Sequence, residues 1–132
     1  MQPRIEKDKL AALCRKHKIQ LLVLHGSQAK GNARDKSDID IGILSQGKLD
    51  LDHQIALLSD FGEIFGEKFD PVFLNGAEPL ISYQVALHGK PLFEEKEGIF
   101  QLFKIQVIAR YMDSKKFRIM EKIYLKRAVG KI

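Results

Sequence analysis

The chain has 132 residues, 45% of them hydrophobic, with 22 Lys and Arg against 17 Asp and Glu and a single cysteine. That length suits one domain with a real core, and the apolar fraction excludes wholesale disorder. One cysteine excludes an internal disulfide framework and a Cys-rich zinc site. No run approaches the roughly 18 apolar residues that a membrane span needs. The first residues, MQPRIEKDKL, are charged where a secretory signal would be apolar. A soluble, cytoplasmic protein is expected. The charge is uneven: residues 101–132 carry nine basic and two acidic side chains, a net +7, and residues 1–100 carry a net −2. A basic tail on a nearly neutral body is either a solvated helix face or a contact for something acidic, protein or nucleic acid.

In chain order, residues 4–18 read as a helix with Leu10, Leu13, Cys14 and His17 on one face. The run Ile19 to Leu24 is short and continuously apolar, which predicts a buried strand. Residues 26–36 are polar and glycine-bearing, a loop or a loop opening into a helical turn. Asp38 to Leu44 (DIDIGIL) alternates with period two and predicts a strand. Residues 49–66 place Leu51, Ile55, Leu58, Phe61 and Phe65 at helical spacing, with Gly66 able to close the helix. Phe69 to Leu74 reads as a strand that Pro71 moves toward an edge or a bulge, because proline donates no ladder hydrogen bond. A helix over 78–88 stopped by Gly89, a brief strand over 90–94, and a helix from Ile99 to about Ala128 follow. In the last helix Phe100, Phe103, Val107 and Tyr111 share a face, and Phe117, Met120 and Tyr124 resume such a stripe. The polar stretch Asp113–Lys116 between them is the expected place for a break or kink. Alternating helices and strands place the chain in the α/β (α+β) class, with one small mixed sheet flanked by helices.

The chemistry-bearing segment is Leu24 to Leu44, LHGSQAKGNARDKSDIDIGIL. A strand runs into Gly26-Ser27. Glycine permits a sharp turn and close approach of a ligand to the backbone, and a serine hydroxyl with free backbone N–H groups suits phosphate. Such a pair is also an ordinary turn. Asp38 and Asp40 lie two apart in a strand otherwise made of isoleucine, so both carboxylates share one side of the sheet and Ile39, Ile41 and Ile43 the other. Two carboxylates about 4 Å apart repel by roughly 4 kcal/mol at an effective dielectric near 20. A cation between them would remove that cost, and hard oxygen ligands favour Mg²⁺, or Mn²⁺, over zinc. On a solvated edge strand the repulsion is weaker and no cation is needed. Asp70 opens another apolar strand and completes a carboxylate cluster if the two strands are neighbours. Ten residues, Gln28 to Ser37, separate Gly26-Ser27 from Asp38-Ile39-Asp40. A phosphate-binding turn can then fold beside the carboxylates, as a nucleoside triphosphate·Mg²⁺ site requires.

Other motifs are absent or bland. There is no P-loop signature and no G-x-G-x-x-G after a strand. Cys14 falls on an apolar helix face as an inert thiol. His17, His25, His53 and His88 show no metal-ligand spacing; His25, adjoining Gly26, reads first as a packed strand histidine and second as a nucleotide contact.

Gly-Ser, ten residues, D-x-D and a later strand Asp resemble the nucleotidyltransferase signature of the DNA polymerase β superfamily. The short form G26-S27-Q-A29-K-G31…S37-D38-I39-D40-I41 is similar to the minimal nucleotidyltransferases, the antitoxin halves of toxin–antitoxin pairs whose toxin is a HEPN-domain ribonuclease. The resemblance extends through FDPVFLN, HGKPLFE and the region of Tyr111, Met112 and Asp113. The family usually has Arg where Lys30 stands, and lysine keeps the charge but not the bidentate fork.

The resemblance implies a polymerase β-like fold with a long C-terminal helix: one nucleotidyltransferase domain over 1–132, a catalytic core at 1–95 and a basic helical segment at 96–132. It implies AMP transfer from ATP to a tyrosine hydroxyl of a cognate HEPN toxin. Asp38, Asp40 and Asp70 would be catalytic and metal-binding, and Gly26, Ser27 and Lys30 nucleotide-binding. Mg²⁺ (or Mn²⁺) would be the cofactor. The partner would be the toxin, in a hetero-oligomer, rather than nucleic acid or a membrane. Two alternatives stand beside it: an antitoxin that only occludes its toxin, and a small-molecule transferase of the aminoglycoside-modifying kind. The basic tail disfavours the second, which needs an acidic pocket.

Overall fold

A computed structural model describes residues 7–26 and 38–130. In chain order these form α1 (Lys7–Lys16), β1 (Ile19–His25), β2 (Ile39–Ser45), α2 (Leu51–Phe65), β3 (Phe69–Phe73), α3 (Pro79–His88), β4 (Lys90–Glu94) and α4 (Ile99–Gly130). The strands make one mixed sheet in the order β3-β2-β1-β4. β1 pairs antiparallel with β2 and β4, while β2 and β3 run parallel. The loop expected over 26–36 lies, beyond Gly26, outside the described residues.

Helices cover both faces of the sheet, which is why β1 is apolar without alternation. On one face Leu22, Leu24, Ile39, Ile41 and Ile43 meet Leu10 and Cys14 of α1 and Leu57, Phe61 and Phe65 of α2. On the other, Leu21, Val23 and Leu74 meet Val85 and Ala86 of α3 and Phe100, Phe103 and Val107 of α4. A register shift between Ile19 and Leu21 turns Ile19 onto the first face, with Leu22 and Leu24. Cys14 is fully buried, and burial pushes its thiol up to about 12, so it stays protonated and inert. His17 is buried at the end of α1, with Nε2 2.7 Å from Asp60 Oδ2 of α2.

β3 is an edge strand, the position its proline requires. Gly66 closes α2, its N–H donating to Gly62 O at 2.8 Å. Gly89 follows α3 where a Cβ would collide with the Val23 side chain and the Val85 carbonyl.

Two expectations from periodicity need correction. Leu51 and Ile55 share the helical spacing of Phe61 and Phe65 in α2 but not their burial, being 70% and 57% exposed. The buried arc centres on Leu57, Phe61 and Phe65, and those two residues fall to one side of it. α4 is continuous from Ile99 to Gly130, with no break at Asp113–Lys116. Phe117, Met120 and Tyr124 do not continue the core stripe: each is at least 68% exposed, because the helix has already run past the sheet.

Candidate active site

The antiparallel register places His25 opposite Asp40, and the parallel register places Asp40 opposite Asp70. Three strands thus bring His25, Asp40 and Asp70 into one row at one end of the sheet. Register partners point to the same face. β2 reaches this row through Ile39, whose N–H donates to Lys68 O at 2.7 Å just before β3 starts. Pro71 does not displace Asp70, since its own partner is Ile41 and the ladder continues to Phe73.

Asp40 is half-buried, while Asp38 and Asp70 are exposed. Burial, first, and then a hydrogen bond with the Asp70 carboxyl and the negative charges of Asp70 and Asp38 push Asp40 up to about 6. Two carboxyl groups can hydrogen-bond only if one carries a proton. The pairing therefore favours the protonated form of Asp40, as a nearby cation would not. His25 is held below the ordinary imidazole range by burial, against the opposing pull of Asp70. Its Nε2 is buried with no hydrogen-bond partner among the described residues. The sequence leaves His25, next to Gly26, as a packed strand histidine or a nucleotide contact. Its position after Leu21 and Val23, alternate residues on one face of β1, was the available signal for its place beside the acids.

Gly26 follows directly and has φ +71°, a left-handed conformation that favours glycine. A Cβ at this position would overlap the Asp40 carboxylate. The backbone at Gly26 thus lies bare against the acid. Ser27 and Lys30 lie outside the described residues.

The structure therefore brings Asp40, Asp70 and Gly26 together, with Asp38 near enough to act on Asp40 through its charge. Among the described residues no group of three His, Cys, Asp or Glu side chains is placed to hold a metal ion. Asp40 and Asp70, carboxylates on adjacent strands, are nonetheless the hard oxygen donors that a divalent cation such as Mg²⁺ takes.

Residues 8–98 match the family model described as polymerase beta, nucleotidyltransferase. The chain belongs to the polymerase β nucleotidyltransferase family. It is 37% identical over 108 residues to the protein adenylyltransferase MntA of Aphanizomenon flos-aquae (strain 2012/KM1/D3), covering 74% of this chain and 72% of that protein. Among solved structures it resembles a chain of a toxin–antitoxin complex with AMP-PNP, at 27% identity and TM-score 0.70, covering 90% of this chain and 98% of the other. It also resembles a chain of the tri-AMPylated Shewanella oneidensis HEPN toxin in complex with MNT antitoxin, at 25% identity and TM-score 0.64, covering 89% and 95%. The nucleotidyltransferase domain model ends at Gly98, one residue before α4 begins. No helix among the described residues is long and apolar enough to cross a membrane.

Proposed function

We propose that this nucleotidyltransferase is an antitoxin that moves AMP from ATP onto a tyrosine hydroxyl of a cognate HEPN-type toxin, with Mg²⁺ as cofactor. The observation that carries the reading is the in-register Asp40–Asp70 pair against the bare Gly26 turn, in a chain 37% identical to a protein adenylyltransferase. A paired, partly buried set of like charges gives a structure nothing by itself, and shifted carboxyl groups of this kind concentrate at reaction centres.

Asp38, Asp40 and Asp70 are the residues to hold the magnesium, which when bound neutralises charge on the triphosphate and its departing pyrophosphate. The chain's own residues do the rest. Gly26, with Ser27 and Lys30, grips the phosphates beside the acids. Asp70, exposed on the edge strand, accepts the proton of the incoming tyrosine hydroxyl. The tyrosine oxygen bonds to the α-phosphorus as the bond from that phosphorus to the bridging oxygen breaks, and pyrophosphate leaves. The product carries added bulk and negative charge on the toxin, which repels RNA from a ribonuclease surface.

The test uses α-labelled ATP, Mg²⁺ and the purified cognate toxin. The unmodified chain labels the toxin, and the Asp38→Asn/Asp40→Asn double variant, folded by thermal melting, does not. Full labelling by that variant sinks the reading.

A further inference from the structure

The first half of α4 has two apolar faces. Phe100, Phe103 and Val107 are buried against the sheet. On the opposite side of the helix lie Leu102, Ile105, Ala109 and Met112, and the same line continues through Lys116 to Ile119 and Ile123. The spacing alternates three and four throughout, the a/d pattern of a helix that packs along another helix. Leu102, Ile105, Met112, Ile119 and Ile123 are 43–66% exposed. The line is about 32 Å long at 1.5 Å rise per residue. Beyond Tyr111 none of the residues through Ala128 is buried.

A row of positive charge runs beside this seam. Lys115 and Lys122 occupy flanking positions of the repeat, and Arg118, Lys122 and Lys126 follow one another at i,i+4. Like charges at that spacing cost an isolated helix about 0.2–0.5 kcal/mol per pair. An acidic neighbour would turn that cost into attraction. A second copy of this chain brings no acidic row: α4 itself holds only Asp113 and Glu121 against its many basic residues. A lipid surface is less well matched. Lys116 stands in the middle of the apolar line, where one polar residue sets register in a helix pair but gives nothing to a bilayer.

We infer that the outer face of α4 is the docking seam for the toxin, which lays along it an amphipathic helix with acidic residues flanking its apolar stripe. That the occupant is the toxin rests on the proposed function; that it is an acid-flanked helix rests on the spacing and charge of α4. Crossing near 20° would let the two helices interlock side chain between side chains over three heptads.

Calorimetric titration of the full chain with purified toxin tests this. Ile119→Asp/Ile123→Asp alters two exposed residues on a stretch of helix with no core beneath it, so the fold is kept, as far-UV circular dichroism will show. This variant is expected to raise the Kd for toxin about 100-fold or more, as when two central anchors are lost from an interface. Lys115→Glu/Lys122→Glu is expected to weaken binding about tenfold and flatten its salt dependence. Leu51→Asp, on exposed α2, leaves the Kd unchanged. In the transfer assay the seam variants raise KM for toxin and leave the affinity for ATP intact. A seam variant that binds toxin within about twofold of the unmodified chain, well under 1 kcal/mol, overturns the inference while leaving toxin labelling, and so the proposed function, standing. Loss of a chain dimer, or of binding to phosphatidylserine vesicles, with toxin affinity unchanged overturns it in favour of a second copy or a lipid surface. If the unmodified chain neither binds nor labels toxin, both readings fall.

Discussion

The parallel pair β2 and β3 ends in two different ways. At the far end, Asn75 follows β3 and clamps Ser45, its Oδ1 accepting from Ser45 N–H at 2.9 Å and its Nδ2 donating to Ser45 O at 3.1 Å. The amide thus imitates one more rung of the ladder, and a partly buried backbone is satisfied. At the near end the same two strands set Asp40 beside Asp70, and the like charges push Asp40 up to about 6. One end is built as structure is built, with donors meeting acceptors. The other keeps an arrangement that folding alone would not select, and that contrast is what supports the proposed site.

The largest way to break the contrast is Asp40→Asn. It is expected to lower AMP transfer by about 10³-fold or more, the size of several kcal/mol of lost transition-state stabilisation, while the melting temperature holds or rises because a like charge is gone. Labelling rate and melting curve together check it. Gly26→Ala comes next. It forces a side chain into both a left-handed backbone and the Asp40 carboxylate, and is expected to cost about 1–3 kcal/mol of stability and most of the activity. Urea unfolding measures the first part. Asn75→Ala attacks the other end, and is expected to cost about 1–3 kcal/mol through unpaired backbone groups at Ser45, with transfer per folded molecule unchanged.

The smallest effect is the pH dependence. Asp40 titrates higher in the folded chain, at about 6, than its ordinary 3.8. Its contribution to stability is therefore complete below 3.8 and lost as pH rises through 6. Without metal, the unmodified chain is expected to gain stability relative to Asp40→Asn on going from pH 7.5 to 4.5. Added Mg²⁺ competes with the proton, so its stabilising shift is expected to be larger at pH 7.5 than at 5. Thermal melts of both proteins across that range measure the two trends.

Much of this was legible in the chain. The isoleucine alternation fixed the inward face of β2, and Pro71 placed β3 at an edge. The D-x-D spacing identified Asp40, and Asp70 was expected beside it. What local pattern does not carry is the pairing between distant strands: the match of Asp40 with Asp70 depends on how α2 returns the chain to lay β3 parallel to β2. The same limit explains the errors. Periodicity reports which residues share a helix face, not how far the sheet extends beneath it. Leu51 and Ile55 on α2, and Phe117, Met120 and Tyr124 on α4, follow a helical period with no core under them. The break expected near Asp113 did not occur because nothing there stops a helix; neither proline nor glycine interrupts α4 before Gly130.

That unbroken rod has a mechanical consequence. Its root is gripped by Phe100, Phe103 and Val107, and Tyr111 stacks on Tyr83 with ring centroids 4.0 Å apart. With no hinge between root and tip, the azimuth of Ile119 and Ile123 is phase-locked to the sheet. One residue inserted after Met112 would swing the distal half through about 100° and advance it about 1.5 Å, leaving every side chain present but aimed elsewhere.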